Sequence, residues 1–458
     1  MTTPEVVRTP PAHVDAEAEV VIIGAGACGL TAGLRVTAAG GEPLILERDE
    51  TPSGSTSLSS GFVPAPGTRF QRAIGVEDDA SIFFDDLMAK SHGDSDPMLA
   101  RLAAETIGPA VEWLADHASI EWLVLDDFLY PGHARHRMHA TPEKTGAGLQ
   151  ARLLAAAEAA NLAIATGAQA FRLHVDGRRI THIVARRSDG AEETIACRSL
   201  IFACNGFGGA ADLVRQHIPE IAEGPYFGHP GNTGDALLWG KALDAATKHL
   251  SGYQGHGSVA HPHGVLITWA LMMEGGIQVN AKGERFSNEH QGYSEQAVHV
   301  LAQPGGVAWN VYDQRLHDFA MESFPDYREA DSLGAPRRAA DVEQLARSIG
   351  APTEALAKTL RRLQAPDQFG RKDFKILSAP FYALKVTGAL FHTQGGLMID
   401  ANTRVLDQSG APFENLFAAG GAACGVSGPD VSGYLSGNGL LTAIAFGWLA
   451  GEAAAKSN

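Results

Sequence analysis

Three glycines and one acid supply the first chemistry in this chain. Gly24, Gly26 and Gly29 stand in the string GAGACG, between an apolar run at 19–23 and a helix of small residues expected at about 30–39. A second apolar run at 43–46 ends on Glu47. In that setting each residue has a mechanical duty. Gly24 turns the chain tightly, Gly26 admits a pyrophosphate to the backbone, and Gly29 lets helix and strand pack closely. The helix start, at Ala27 and Cys28, offers free N–H groups to phosphate. Glu47 is placed to accept hydrogen bonds from an adenosine ribose. The chemistry is retention of a dinucleotide, with NAD and FAD equally open on these residues alone.

Later stretches repeat the theme. Residues 48–61 are rich in glycine and hydroxyls, and Arg48, Gly54, Ser55, Thr56, Ser60 and Gly61 are read as a loop under the cofactor. An apolar strand at 200–204 exits into Asn205 and Gly206, and Asp235 suits the first turn of a helix at 236–245. Ala170, in a strand-like stretch at 163–174, joins the cofactor set. Gly395 and Gly396 follow His392, and Gly420 and Gly421 follow another apolar run. Ser436, Gly437, Asn438, Gly439 and Leu440 open an apolar helix expected to reach about 454. A helix start there suits the pyrimidine edge of a flavin, stabilising charge at N1 and O2. Joined to the opening turn, these returns favour FAD.

The elements that must position these residues suggest an α/β fold with a discontinuous Rossmann-like FAD-binding domain and an inserted α+β substrate-capping domain. The expected boundaries are 18–248 and 374–458 for the cofactor domain and 249–373 for the cap, after a disordered arm at 1–17. Helices are expected at about 80–91, 97–117 and 148–160, and strands at 163–174 and 179–186 around an Asp176-Gly177 turn. The chain of 458 residues is long enough for more than one domain. Its formal charge of −16 argues against a nucleic-acid or anionic-membrane surface. No apolar run reaches the roughly 20 residues of a membrane span, and residues 1–18 lack the pattern of a signal peptide. The four cysteines, Cys28, Cys197, Cys204 and Cys424, show no metal-ligand rhythm and read as a reduced, cytoplasmic chain. His133, His136 and His139 are regularly spaced, but they lie in a Pro/Gly-punctuated stretch without a carboxylate or cysteine partner, so no metal site is expected.

The strings GAGACG, SGSTSLSSG, NTGDA, KGERFSNE, HTQGGL, LFAAGG and SGNGLLTA together resemble the fumarate reductase/succinate dehydrogenase flavoprotein superfamily, including its 3-ketosteroid dehydrogenase branch. They run in the family's order from Val20 to Gly451. The resemblance implies FAD, a small-molecule substrate between flavin and cap, and hydride exchange between flavin N5 and a C–C bond beside an activating group. It also implies an external electron acceptor or donor, since no CxxCH motif or separate NAD(P)H-binding domain is evident.

Departures from the family pattern carry the substrate argument. The family's substrate-contacting histidine and threonine–glutamate pair correspond to His256, Thr268 and Trp269, so the glutamate has become tryptophan. The arginine that follows the RFxNE element is replaced by Tyr293, as in the ketosteroid branch, and a second carboxylate-binding arginine corresponds to Tyr434. The histidine of the HTxGG motif survives as His392. A dianion left unpaired in a dry site costs several kcal/mol, and guanidinium groups are its preferred partners. Exchanging two arginines for Trp269, Tyr293 and Tyr434 therefore favours a cyclic ketone or enone. The expected reaction is α,β-dehydrogenation: Tyr382, with Thr393 or backbone N–H groups, holds the carbonyl. Tyr293 takes the α-proton with help from Tyr434 or His392, because a phenol titrating near about 10 is a weak base. The rival readings are a reductase of an activated C=C bond, enone or fumarate-like acid, with Arg285 or Arg371 arriving to bind an acid, and a flavin-binding electron-transfer protein without a substrate.

Overall fold

The computed structural model of the protein describes residues 3–363 and 367–457. The chain divides into two compact units, the first made of Met1–His217, Gly228–Tyr253 and His392–Asn458, the second of Ile218–Phe227 and Gln254–Phe391. The main segment of the second unit thus starts a few residues later than the expected 249, and Ile218–Phe227, expected in the cofactor domain, belongs to it as well. It also ends at Phe391 instead of 373, because the long strand Phe381–Thr393 pairs with Val307–Asp313 and Pro336–Ala339 inside the second unit.

In the first unit a nine-stranded mixed sheet carries the opening motif. Its parallel centre runs Glu192–Phe202, Ala16–Ile23, Pro43–Leu46, Ala163–Ala165, with Val20 opposite Pro43 and Ile22 opposite Ile201. Both faces are covered, so Val20, Val21 and Ile22 are all fully buried and the strand reads as a continuous apolar run. Helix Ala27–Ala38 leaves the end of that strand and packs on the C-terminal helix Asn438–Lys456. Small residues permit the close approach: a Cβ at Gly447 would lie 2.6 Å from the Cys28 carbonyl oxygen, and one at Gly451 would lie 2.4 Å from that of Ala32. Leu441, Ile444 and Phe446 of the same helix are fully buried in the unit's core, each burial worth about 1.5–3 kcal/mol.

The N-terminal arm, expected to be disordered, is a correction. Glu5–Val7 forms an edge strand parallel to Ala168–Asp176, and Glu5 pairs with Arg172 at 2.8 Å. Further on, His174 Nδ1 lies 2.7 Å from the Thr9 carbonyl oxygen. Prolines and acids in the arm hid a valine pair that an open sheet edge accepts.

The second unit is built on a six-stranded sheet whose long central member is Phe381–Thr393. Helices Gln314–Ser323, Pro325–Ser332, Val342–Ile349 and Thr353–Arg361 belong to the same unit. Its core includes Ile277, Val279, Val311, Tyr312, Leu316, Tyr327 and Leu384. Among the described residues, no helix is long and apolar enough to cross a membrane.

Candidate functional site

The first unit presents a backbone cradle. Helix Ala27–Ala38 begins at Gly26, which has no side chain to cap it. Gly24 sits at φ +107°, and a Cβ there would fall 2.6 Å from the Ala203 carbonyl oxygen; at Gly29 it would fall 1.9 Å from that of Gly24. Only hydrogen fits at these two positions. Glu47 is buried and accepts from the Ala25 N–H at 2.8 Å and the Asp49 N–H at 3.0 Å, which orients its carboxylate and leaves lone pairs for hydroxyls. Thr56 Oγ accepts from the Ala27 N–H at 2.9 Å.

The hydroxyl loop is stapled from outside. Ser55 Oγ accepts from Asn232 Nδ2 at 2.8 Å, and the Arg48 guanidinium pairs with Asp235 at the start of helix Asp235–Ala242. Arg48 and Asp235 thereby satisfy one another and hold the loop. Gly54 through Ser57 forms one helical turn, Ser60 is exposed, and a Cβ at Gly61 would lie 2.5 Å from the Thr145 carbonyl oxygen. Ala170 is buried opposite Ala185 in the same sheet.

The later glycines close round the same unit. A Cβ on Gly421 would lie 2.1 Å from Asn205 Oδ1, and one on Gly206 2.0 Å from Thr393 Oγ1. Thr393 also accepts from the Phe207 N–H at 3.3 Å, so its hydroxyl holds this loop. Gly395 and Gly396 admit the chain at His249 and at Ala422–Ala423, a packing requirement. Cys28 lies under Gly420, its Sγ 3.3 Å from the site of a Cβ there, and burial pushes the thiol well above its ordinary range. The C-terminal helix starts at Gly437, φ +89°, with no side-chain cap and with the buried Asn438 Oδ1 lacking a hydrogen-bond partner. An uncapped helix start, an oriented acid and a second uncapped start with a spare acceptor fit the pyrophosphate, ribose and ring of FAD.

At that second helix start stand His392 and Tyr434. Their rings meet edge to face at 5.4 Å, and His392 Nε2 would lie 2.7 Å from a Cβ on Gly439. Desolvation holds the imidazole down at about 4, against a smaller raising pull from the Thr393 carbonyl, so it is neutral near pH 7. His133 donates from Nε2 to the Ser436 carbonyl at 3.0 Å, and His139 contacts Thr68 Oγ1 at 2.8 Å. These two histidines of the regular triplet are structural anchors, and burial lowers them to about 3 and about 4.

The second unit gathers a different set. His256 stacks on Tyr293 at 4.8 Å, meets Trp269 edge to face at 5.8 Å and tilts against Phe391 at 5.4 Å. Phe391 in turn stacks on Phe227 at 4.9 Å. The Ser258 N–H donates to His256 Nδ1 at 3.1 Å, placing the ring proton on Nε2, and desolvation lowers the imidazole to about 3. Tyr293 opens helix Tyr293–Leu301, Trp269 donates from Nε1 to the Glu289 carbonyl at 3.1 Å, and Thr268 Oγ1 accepts from the Ala270 N–H at 3.3 Å. Three sequence-derived residues, His256, Trp269 and Tyr293, therefore form one cluster.

Tyr382 does not join it. Its hydroxyl donates to Gln314 at 2.9 Å and its ring stacks on His317 at 4.2 Å, within the second unit's core. Nine strand steps of about 3.3 Å separate it from Phe391, or about 30 Å along the strand. The two arginines that an acid substrate would need are also engaged. Arg285 pairs with Asp367 and reaches Glu289 at 2.5 Å; Arg371, fully buried, reaches Glu289 at 3.1 Å and donates to the carbonyls of Gly276, Met272 and Asp373. Phe391 and Phe227 escaped the sequence reading. The alternation of a strand ending in Phe391, His392 and Thr393 was the available signal for the first.

A family model described as an FAD binding domain matches residues 19–440. The chain is 29% identical to a probable fumarate reductase, Ifc3, of Shewanella frigidimarina, over 96% of this chain and 75% of that protein. An open-conformation flavocytochrome c3 fumarate reductase superposes with a TM-score of 0.83 at 27% identity, covering 97% of this chain and 79% of that one. A 3-ketosteroid Δ4-(5α)-dehydrogenase from Rhodococcus jostii RHA1, in complex with 4-androstene-3,17-dione, gives 0.79 at 25% identity, covering 99% and 100%.

Proposed function

From the premise that the chain belongs to the FAD binding domain family, and is an FAD-dependent oxidoreductase of CH–CH bonds, we propose that its substrate is a neutral cyclic ketone of ketosteroid-like character. The observation that carries this reading is the second unit's division of labour. Its aromatic cluster of His256, Trp269 and Tyr293 is uncharged, while Arg285 and Arg371 are committed to Glu289 and Asp367. A carbonyl needs one or two donors, whereas a dicarboxylate needs free guanidinium groups.

A bound FAD would supply the hydride exchange with the carbon β to the carbonyl. Tyr293 carries the α-proton on its phenol oxygen, the role assigned to it from sequence. Tyr382 and Thr393 have other duties, so the carbonyl falls to His392, a neutral donor, and to Tyr434. A donor already oriented toward developing enolate charge stabilises it without reorganisation. Trp269 and Phe391 exclude water from the ring system. The electron partner is an external acceptor or donor, and four free cysteines, three of them buried, support a reducing, cytoplasmic setting.

Anaerobic mixing of the oxidised holoenzyme with 3-ketosteroids, cyclohexanones and succinate tests this. Flavin bleaching by the ketones is the expected result; bleaching by succinate alone overturns it. Similarity to a probable fumarate reductase favours the opposite direction of transfer as a second reading. Reduced enzyme that is reoxidised by enones but not by fumarate fixes that direction without altering the substrate class.

A further inference from the structure

Beside His392 runs a buried relay of neutral side chains. Asn438 Nδ2 donates to Ser427 Oγ at 2.8 Å, Ser427 Oγ donates to Gln394 Oε1 at 2.6 Å, and Gln394 Nε2 lies 3.0 Å from His392 Nδ1. Gln394, Ser427 and Asn438 are all nearly or fully buried. Each group has one direction to point. With its oxygen receiving the Ser427 hydroxyl, the Gln394 amide can offer only N–H to the imidazole, which makes Nδ1 an acceptor.

Turning both amides over would reverse the relay. Asn438 would then hold two unpaired N–H donors in its buried position, in place of the single oxygen that now lacks a partner. The Thr393 carbonyl also lies 3.2 Å from Nδ1 and asks for the opposite tautomer. It is the longer contact, 3.2 Å against 3.0 Å for the Gln394 amide.

We infer that Gln394 is a positioning residue that locks His392 as the Nε2–H tautomer, so that this histidine acts as a neutral hydrogen-bond donor and not as a base. The donor role rests on the function proposed above; the tautomer stands on the relay alone. Nε2 is the nitrogen that lies against Gly439 at the helix start, on the ring edge away from Gln394. A histidine whose Nδ1 is filled by a donor has no lone pair left on that side, and its other nitrogen keeps the proton. Gln394 thus does for His392 what a backbone N–H does for His256.

The test is nitrogen NMR of the holoenzyme labelled with 15N-histidine, with the His392 signals identified by their loss in His392→Gln. The expected result is an unprotonated Nδ1 and a protonated Nε2. Gln394→Glu, which puts an acceptor in the same place, moves the proton to Nδ1, and Gln394→Leu gives a mixture of tautomers. Flavin bleaching by a responsive ketone slows about ten-fold in Gln394→Leu, the equivalent of one lost hydrogen bond in the transition state, with ketone affinity nearly unchanged. Ser427→Ala, which removes the hydroxyl that orients the amide, shifts the tautomer in the same sense and decides the matter if Gln394→Leu fails to retain flavin. A wild-type His392 protonated at Nδ1, or a Gln394→Leu protein that keeps a pure Nε2–H form, overturns the inference. The expected tautomers without any change in bleaching rate uphold the relay and overturn the donor role.

Discussion

His256 and His392 are both neutral, both carry the proton on Nε2, and are held by different means. His256 in the second unit takes its tautomer from the Ser258 backbone N–H, at 3.1 Å, within a strand whose neighbours Gly255 and Ser258 are tied to Ser294 and Asn310. His392 in the first unit takes its tautomer from a side chain, Gln394, held by two further side chains. The contrast extends to the units as a whole. The first presents backbone: uncapped helix starts and glycines that leave room, the features we propose hold the cofactor. The second offers side-chain faces. A backbone site tolerates most substitutions and fails wherever a Cβ intrudes. A side-chain site fails one atom at a time, each loss affecting one function.

The largest effect follows from breaking the backbone half. Gly29→Ala places a methyl 1.9 Å from the Gly24 carbonyl oxygen, and the protein is expected to be purified without FAD, as read from the ratio of flavin to protein absorbance. Next comes the side-chain half: Tyr293→Phe keeps its flavin and its stack on His256, while ketone-driven bleaching falls about a hundred-fold to ten-thousand-fold, the worth of a positioned proton carrier. Bleaching that remains at the wild-type rate removes Tyr293 from the mechanism.

Acid sharpens the comparison between the two histidines. Both are lowered from an ordinary 6.5, His256 to about 3 and His392 to about 4. The unfolded chain therefore binds protons first, and the stability tied to the neutral rings is complete above about 6.5 and lost as pH falls toward the folded values. By pH 5 each ring has given up about 2 kcal/mol of unfolding free energy. Denaturant unfolding at pH 7 and pH 5 should show a shallower loss in His256→Asn and in His392→Gln, and an unchanged slope in either variant marks that ring as already solvated. The smallest effect belongs to Tyr382→Phe. Losing the bond to Gln314 costs about 1 kcal/mol of stability, and ketone bleaching stays at the wild-type rate; a large drop in that rate would return Tyr382 to the mechanism.

How much of this was legible in the chain follows the same division. The turn at Gly24, Gly26 and Gly29 and the acid Glu47 lie within one strand–helix–strand unit, where local geometry ties each residue to its duty. Helix and strand positions such as Pro97–Ala118 and Ala168–Asp176 follow from apolar periodicity and turn chemistry in the same way. Tyr382 stands nine residues before Phe391, a short distance in sequence. A continuous strand turns that spacing into about 30 Å, whereas a turn would have folded it back. In the chain Gln394 is only one residue of the string HTQGGL; its duty comes from Ser427 and Asn438, far along the chain.

The sequence by itself determined the cofactor and the superfamily, because these depend on residue type at positions set by local backbone geometry. Tertiary structure alone decided that Arg285 and Arg371 are spent on Glu289 and Asp367, that His256, Trp269, Tyr293 and Phe391 share one cluster, and which nitrogen of His392 holds its proton. Those outcomes depend on which side chain faces which across the core, and only three-dimensional packing supplies the partners that choose a charge state, a rotamer or a tautomer.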